Sequence, residues 1–126
     1  MTKIVQSDPV PEDDPLVVAI QEAADASKRQ DLDATLSALS AAVALDPARA
    51  DLWESLGAVY AQLEAWSLCV ISLEIALTLQ PNKSRVQYAM ALALYYLGQK
   101  EKAVALIDEA CQHSATSVFW TMRAYI

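Results

Sequence analysis

The 126-residue sequence has few of the residues from which catalytic and cofactor sites are built: 2 glycines, 1 histidine and 2 cysteines. A phosphate-binding loop needs closely spaced glycines, and a zinc site needs about four nitrogen or sulfur ligands. Cys111 and His113 lie close together in the sequence but lack the further ligands, and the serines have no partner base. We therefore predict that the chain is not an enzyme and binds no cofactor or metal.

Basic residues and long apolar runs are also scarce. The chain has 9 Lys and Arg against 16 Asp and Glu, a net charge of −7. This balance repels nucleic acid and anionic lipid, and no stretch approaches the ~20 apolar residues of a membrane span. Residues 1–10 lack the apolar segment of a secretory signal. We expect a cytoplasmic protein with a protein partner, no nucleic acid, no membrane insertion and no disulfide between Cys69 and Cys111.

Helical spacing dominates the apolar pattern, and the alternation typical of strands is missing. Residues 1–14 carry several acids and few large apolar side chains, which predicts a flexible acidic tail. Asp14 followed by Pro15 is a typical helix start, because Asp accepts free N–H groups and Pro needs no donor there. The later breaks predict paired helices; they fall at 28–31, 46–47, 64–65, 80–82 and 98–100.

The separation of Pro47 and Pro81, about 34 residues, suggests an internal repeat, and we call this spacing the repeat period. The segment between them keeps one ordered pattern of large and small residues: Trp53, Leu56, Gly57, Tyr60, Cys69, Leu73, Ala76 and Pro81. This pattern closely resembles the tetratricopeptide repeat. Gly57 and Ala76 have little bulk, so the two helices of the hairpin can approach closely beside larger residues.

Shifting this pattern by one repeat period in either direction locates two weaker copies. The forward copy is good in its second helix at Ala103, Ile107 and Ala110. The backward copy has Glu22 where Leu56 stands, which leaves the register of that helix open by one residue. The resemblance implies a domain over 15–126: a right-handed α-α superhelix of three hairpins (about 15–47, 48–81 and 82–115) and a capping helix at 117–126. Whether Phe119 and Trp120 only cap the array or also bind stays open.

In tetratricopeptide arrays the first helix of each hairpin lines a concave groove. The residues not used for packing then predict a client-binding surface, here called the groove face: Glu54, Ala58, Arg85, Tyr88, Leu92, Tyr95 and Tyr96. Tyrosines and a leucine beside an acid suit an apolar segment of a client; alternatively, the tyrosines partly fold under the capping helix. The chain does not match the carboxylate-binding pattern of the receptors for chaperone tails. Among the positions of that pattern, only Arg85 carries a fitting residue.

The second helix of the middle repeat is apolar nearly all round. After its packing residues are assigned, Leu68, Ile71 and Ile75 remain, and we call them the back face. A surface helix should carry polar residues there. The back face therefore predicts a homodimer or partner interface, unless neighbouring repeats bury it.

These surfaces suggest an adaptor or chaperone that holds an apolar peptide or helix of a client. Small size, acidity and repeat number are similar to the tetratricopeptide chaperones of bacterial type III secretion. The alternative is a structural scaffold subunit that acts through homo-oligomerisation. The sequence does not identify the client.

Overall fold

The computed structural model describes residues 14–113 and shows six helices there with no strand. Their bounds are α1 Pro15–Lys28, α2 Leu32–Leu45, α3 Ala50–Gln62, α4 Trp66–Leu79, α5 Ser84–Tyr96 and α6 Lys100–His113. The predicted all-α class is confirmed for this part of the chain. The predicted tail at 1–14, except Asp14, and the predicted capping helix at 117–126 with Phe119 and Trp120 lie outside the described residues.

Local side-chain chemistry sets the starts of the first two helices. The Asp14 carboxylate accepts a hydrogen bond from the Leu16 backbone N–H at 2.9 Å, and Pro15 begins α1. Asp31 accepts from the Ala34 N–H at 3.1 Å at the start of α2. These bonds satisfy N–H groups that have no partner inside a helix, so the predicted start at Asp14 and Pro15 is confirmed.

The turn inside each hairpin uses the same backbone device. Gln30, Glu64 and Gly98 follow one another at the repeat period, and all three have positive φ angles, 59°, 58° and 84°. After each of them the next backbone N–H bonds back to the helix, as in Ala65 N to Tyr60 O at 2.8 Å. This is the left-handed cap that ends many helices, and glycine adopts it most easily. Only the third hairpin has glycine there.

The chain divides after Pro47 into two compact units. In the first unit α1 packs against α2, and the buried residues of α1 are Ala19, Ala23 and Ala26. Glu22 lies exposed between them. The repeat pattern therefore holds in α1 without a shift of register.

In the second unit α3 packs against α4 and α5 against α6, and α4 also packs against α5. Two apolar clusters fill these contacts. One contains Cys69, Leu73, Ala76, Val86 and Ala93, and the other contains Ala91, Leu94, Ala103, Ile107, Ala110 and Cys111. Six of the predicted packing residues lie in these clusters, namely Cys69, Leu73, Ala76, Ala103, Ile107 and Ala110, and Trp53 and Tyr60 pack against the first.

Gly57 lies at a close approach of α3 and α4. A Cβ atom placed on Gly57 would stand 2.6 Å from Leu73 Cδ2 and 2.8 Å from Leu73 Cγ. Leu73 is itself only 2% exposed, so its side chain has little room to move. The predicted need for a residue without bulk at Gly57 is confirmed.

Candidate functional site

Every residue of the groove face lies in the second unit, on α3 or α5. Arg85, Ala58 and Tyr96 are exposed, Tyr96 to 57%. The other four residues are half-buried: Glu54, Tyr88, Leu92 and Tyr95. Tyr88, Leu92 and Tyr95 pack against the cluster that contains Ala91 and Ile107, so their rings and side chains are supported from behind.

Glu54 joins α3 to the start of α5 through two cations. Its Oε1 accepts a hydrogen bond from Lys83 Nζ at 3.0 Å, and its Oε2 accepts one from Arg85 Nε at 2.8 Å. The Glu54 side chain is 21% exposed, whereas that of Arg85 is 72% exposed. Two residues predicted to meet a client separately, Glu54 and Arg85, are thus paired with each other.

These contacts also determine the ionisation of Glu54. Burial acts to raise the pKa of its carboxyl group, but the hydrogen bonds and charges of Lys83 and Arg85 outweigh that effect, and the pKa lies below its usual 4.5. Glu54 is therefore ionised at neutral pH. Glu54 and Arg85 of the groove face thus form, with the neighbouring Lys83, a cluster of two positive charges and one negative charge.

The aromatic part of the groove face is in contact with Trp66, a residue outside the predicted groove face. The Trp66 ring stacks on Tyr96 with ring centroids 4.6 Å apart and an interplanar angle of 15°. Tyr95 meets Tyr96 edge to face at 5.6 Å. Tyr96 is the last residue of α5 and Trp66 the first of α4, so a contact across two hairpins orders the exposed tyrosine. The only sequence signal for this stacking contact is that aromatic residues stand at both helix ends.

The back face is partly open to solvent. Leu68 is 47% exposed and Ile71 is 51% exposed, while Ile75 is half-buried. The residues one repeat period earlier and later are small or charged: Ala34, Ser37, Ala41, Lys102, Ala105 and Glu109. Large apolar residues at these positions are thus particular to the middle hairpin.

A depression that the sequence reasoning did not anticipate lies in the first unit. It is open, with a volume of about 470 Å³, and α1 and α2 form its walls. Three charged and five small residues line it: Glu22, Asp25, Ala26, Arg29, Ala34, Ser37, Ala38 and Ala41. No residue of the groove face or the back face contributes to it.

Residues 14–113 contain no group of three or more His, Cys, Asp or Glu side chains placed to hold a metal ion. Cys69 and Cys111 are both buried free thiols. Burial raises the pKa of the Cys69 thiol to about 11, which keeps it protonated and unreactive at neutral pH. None of the helices in this stretch is long and apolar enough to span a membrane.

Hairpins that recur once in every repeat period define a helical repeat protein, and comparison with known proteins specifies the kind. No family model matches the chain. The human PEX5-related protein is 31% identical over 85 residues, which cover 68% of this chain and 14% of that protein. The mouse PEX5-related protein is 32% identical over 94 residues, 75% of this chain and 15% of that protein. The chain thus spans only about one seventh of the length of these relatives.

Solved structures show the same architecture. The first TPR of Spaghetti (RPAP3), bound to an HSP90 peptide, has a TM-score of 0.81 at 12% identity, covering 88% of this chain and 89% of that one. The TPR2B domain of yeast Sti1, in a complex with pHsp70, has a TM-score of 0.79 at 16% identity, covering 87% and 94%. A MamA mutant has a TM-score of 0.75 at 24% identity, covering 80% and 74%. This chain has the fold of the tetratricopeptide repeat domains, as its sequence motif predicts.

Proposed function

We propose that this chain is a protein-interaction module that holds an apolar segment of a client protein against the groove face. The observation that carries the proposal is the row of aromatic and aliphatic side chains on α5, which ends in Tyr96, 57% exposed and stacked on Trp66. Ordered aromatic side chains offer large contact areas at a low cost in conformational entropy, and they dominate many binding sites.

The charges of the groove face support an apolar client segment. Glu54 is already paired with both Arg85 and Lys83, so the client does not have to supply a partner for the Glu54 carboxylate. The tetratricopeptide domains of RPAP3 and Sti1 were solved with an HSP90 peptide and in a pHsp70 complex. Holding a peptide is therefore a use that this fold supports, and we extend it to this chain with a different ligand chemistry.

Site-directed crosslinking tests this proposal and can identify the client. A photoreactive phenylalanine analogue replaces Tyr96 in one sample and the exposed Lys102 of α6 in the control. We expect client crosslinks from position 96 and none from position 102, with the product identified by mass spectrometry. Equal crosslinking from both positions, or none at position 96 in cells that contain the native partners, contradicts the proposal.

Affinity measurements with the captured segment provide a second test. Tyr96→Ser should weaken binding about 30-fold, the effect of losing an aromatic side chain worth about 2 kcal/mol at the centre of an interface. Tyr96→Phe keeps the ring and should stay within about threefold of the original affinity. Thermal unfolding of both variants must be compared, because the stacking on Trp66 also contributes about 0.5–1.5 kcal/mol.

A second function, assembly of the chain with itself, is favoured by the back face. Leu68 and Ile71 are each about half exposed on a helix whose only charged residue is Glu74. Light scattering should show a smaller mass for Ile71→Asp than for the original chain. Ala105→Asp is the matched control, because it places the same charge one repeat period later on α6, where the surface is already polar. If the original chain is monomeric at high concentration, this function is excluded.

A role as a type III secretion chaperone and a cytoplasmic location stay predictions from size, acidity and repeat number. The relatives named above are not described as such chaperones. Identification of the crosslinked client decides between this role and a general adaptor.

A further inference from the structure

The Lys83, Arg85 and Glu54 cluster has the geometry of an occupied carboxylate site. Lys83 is the N-cap residue of α5 and Arg85 belongs to its first turn, so both cations stand at the positive end of a helix dipole. Their donors approach the two oxygens of one carboxylate, at 3.0 Å and 2.8 Å. Charged donors, short distances and a helix N-terminus together favour a bound anion. In this chain the anion is Glu54 from α3.

The arrangement decides which ligands the groove face can accept. A client carboxylate that took both the Lys83 Nζ and the Arg85 Nε donors would have to displace Glu54, and the displaced carboxylate would then repel it. A neutral segment meets no such competition. Arg85 is 72% exposed and thus accessible to ligands, whereas Glu54 is only 21% exposed and is held between the two cations.

We propose that Glu54 is a specificity-determining residue. Lys83 and Arg85 form a carboxylate site, and the Glu54 side chain occupies that site. Acidic client segments are therefore excluded. This inference rests on the proposed function, because it concerns the ligand preference of the groove face. It adds a prediction that the proposed function does not make: removing the Glu54 charge opens an anion site.

Titration with glutarate, a small dicarboxylate, tests the anion site without any client. The readout is the ¹⁵N–¹H NMR signal of the Arg85 Nε–H group in the original chain, in Glu54→Gln and in Asp51→Asn. Asp51→Asn is the matched control: it also removes a carboxylate from α3, but one paired with Arg49 at 2.7 Å. We expect glutarate to bind Glu54→Gln saturably and at least about tenfold more tightly than the other two proteins. A hydrogen bond to a charged group contributes about 1.5–3 kcal/mol, which corresponds to at least that ratio of affinities.

Binding equally weak to all three proteins would overturn the proposal. Glu54→Ala is a second variant with the same expectation, in case the amide introduced by Glu54→Gln bonds to the cations and blocks them. Failure of both variants to bind glutarate more tightly than Asp51→Asn, with helical circular dichroism retained, also counts against it.

Two labelled peptides separate this inference from the proposed function. Both contain five alternating leucines and alanines; one ends in two glutamines and an amide, and the other in two glutamates and a free carboxylate. Glu54→Gln should raise the affinity for the acidic peptide relative to the neutral one about tenfold, and Asp51→Asn should not change that ratio. If no protein binds the neutral peptide, that result counts against the groove face as an apolar site, while the glutarate titration still decides the role of Glu54.

Discussion

Replacement of Gly57 by alanine should destabilise the protein, although alanine is the better helix former. Alanine in place of glycine inside a helix normally gains about 1 kcal/mol. Here the new Cβ would stand 2.6 Å and 2.8 Å from two carbons of Leu73, roughly 1 Å inside the usual carbon–carbon separation. Overpacking of this kind costs about 1–3 kcal/mol. The expected net loss is about 1 kcal/mol in the free energy of unfolding.

Urea unfolding followed by circular dichroism measures this difference. Ala58→Gly is the internal control, since Ala58 is the exposed neighbour of Gly57 on α3 and its replacement reports the helix-propensity term alone. In a Leu73→Ala background the added Cβ has space, so Gly57→Ala should become neutral or stabilising. If Gly57→Ala stabilises the original protein as much as Ala58→Gly destabilises it, the close approach of α3 and α4 is refuted.

Three further predictions use the turns, the buried thiol and the ion cluster. Glu64→Gly should raise the free energy of unfolding by about 0.5 kcal/mol and Gly98→Ala should lower it by about 1 kcal/mol, because both positions have positive φ; urea unfolding measures both. Iodoacetamide at pH 8 should modify Cys69 about 100-fold more slowly in the native protein than in urea, because burial raises its pKa from 9.0 to about 11; peptide mapping follows the site. The folded-state pKa of Glu54 is lowered, so the folded state binds fewer protons, and the stability that Glu54 contributes is present above pH 4.5 and lost as pH falls below it. The original chain and Glu54→Gln should therefore differ in the free energy of unfolding by about 1 kcal/mol at most, because the cluster is accessible to solvent. Urea unfolding should show that this difference shrinks below pH 4.5.

The helix borders and packing positions could be predicted because local chemistry encodes them. Asp14 and Pro15 are a cap and a first-turn residue within two positions of sequence, and Pro47 and Pro81 mark the period directly. Helical periodicity places Gly57 on the inner face of its hairpin as a residue without bulk, whereas its contact with Leu73 is found only in the structure.

The contacts of the candidate site could be predicted only in part. Both Glu54 and Arg85 were placed on the groove face, but their pairing spans 31 residues and depends on the rotamers of long side chains, which periodicity does not determine. The stack of Trp66 on Tyr96 depends in the same way on two helix ends that meet only after the hairpins pack. Periodicity therefore predicts which residues share a surface, and three-dimensional packing determines which of them bind each other.

The mismatch at Glu22 reflects a solvent-exposed side of the first hairpin rather than a shifted register. Its equivalent in the middle hairpin, Leu56, is buried, whereas Glu22 is exposed beside buried Ala23. Polar residues on an outer face are what a repeat needs where it faces water. Glu22→Leu should therefore change the free energy of unfolding by no more than about 0.5 kcal/mol, while Ala23→Leu, by overpacking a position that is 6% exposed, should lower it by about 1–3 kcal/mol. A register shifted by one residue would reverse the order of these two effects in urea unfolding, and the assignment of α1 to the repeat pattern would then be wrong.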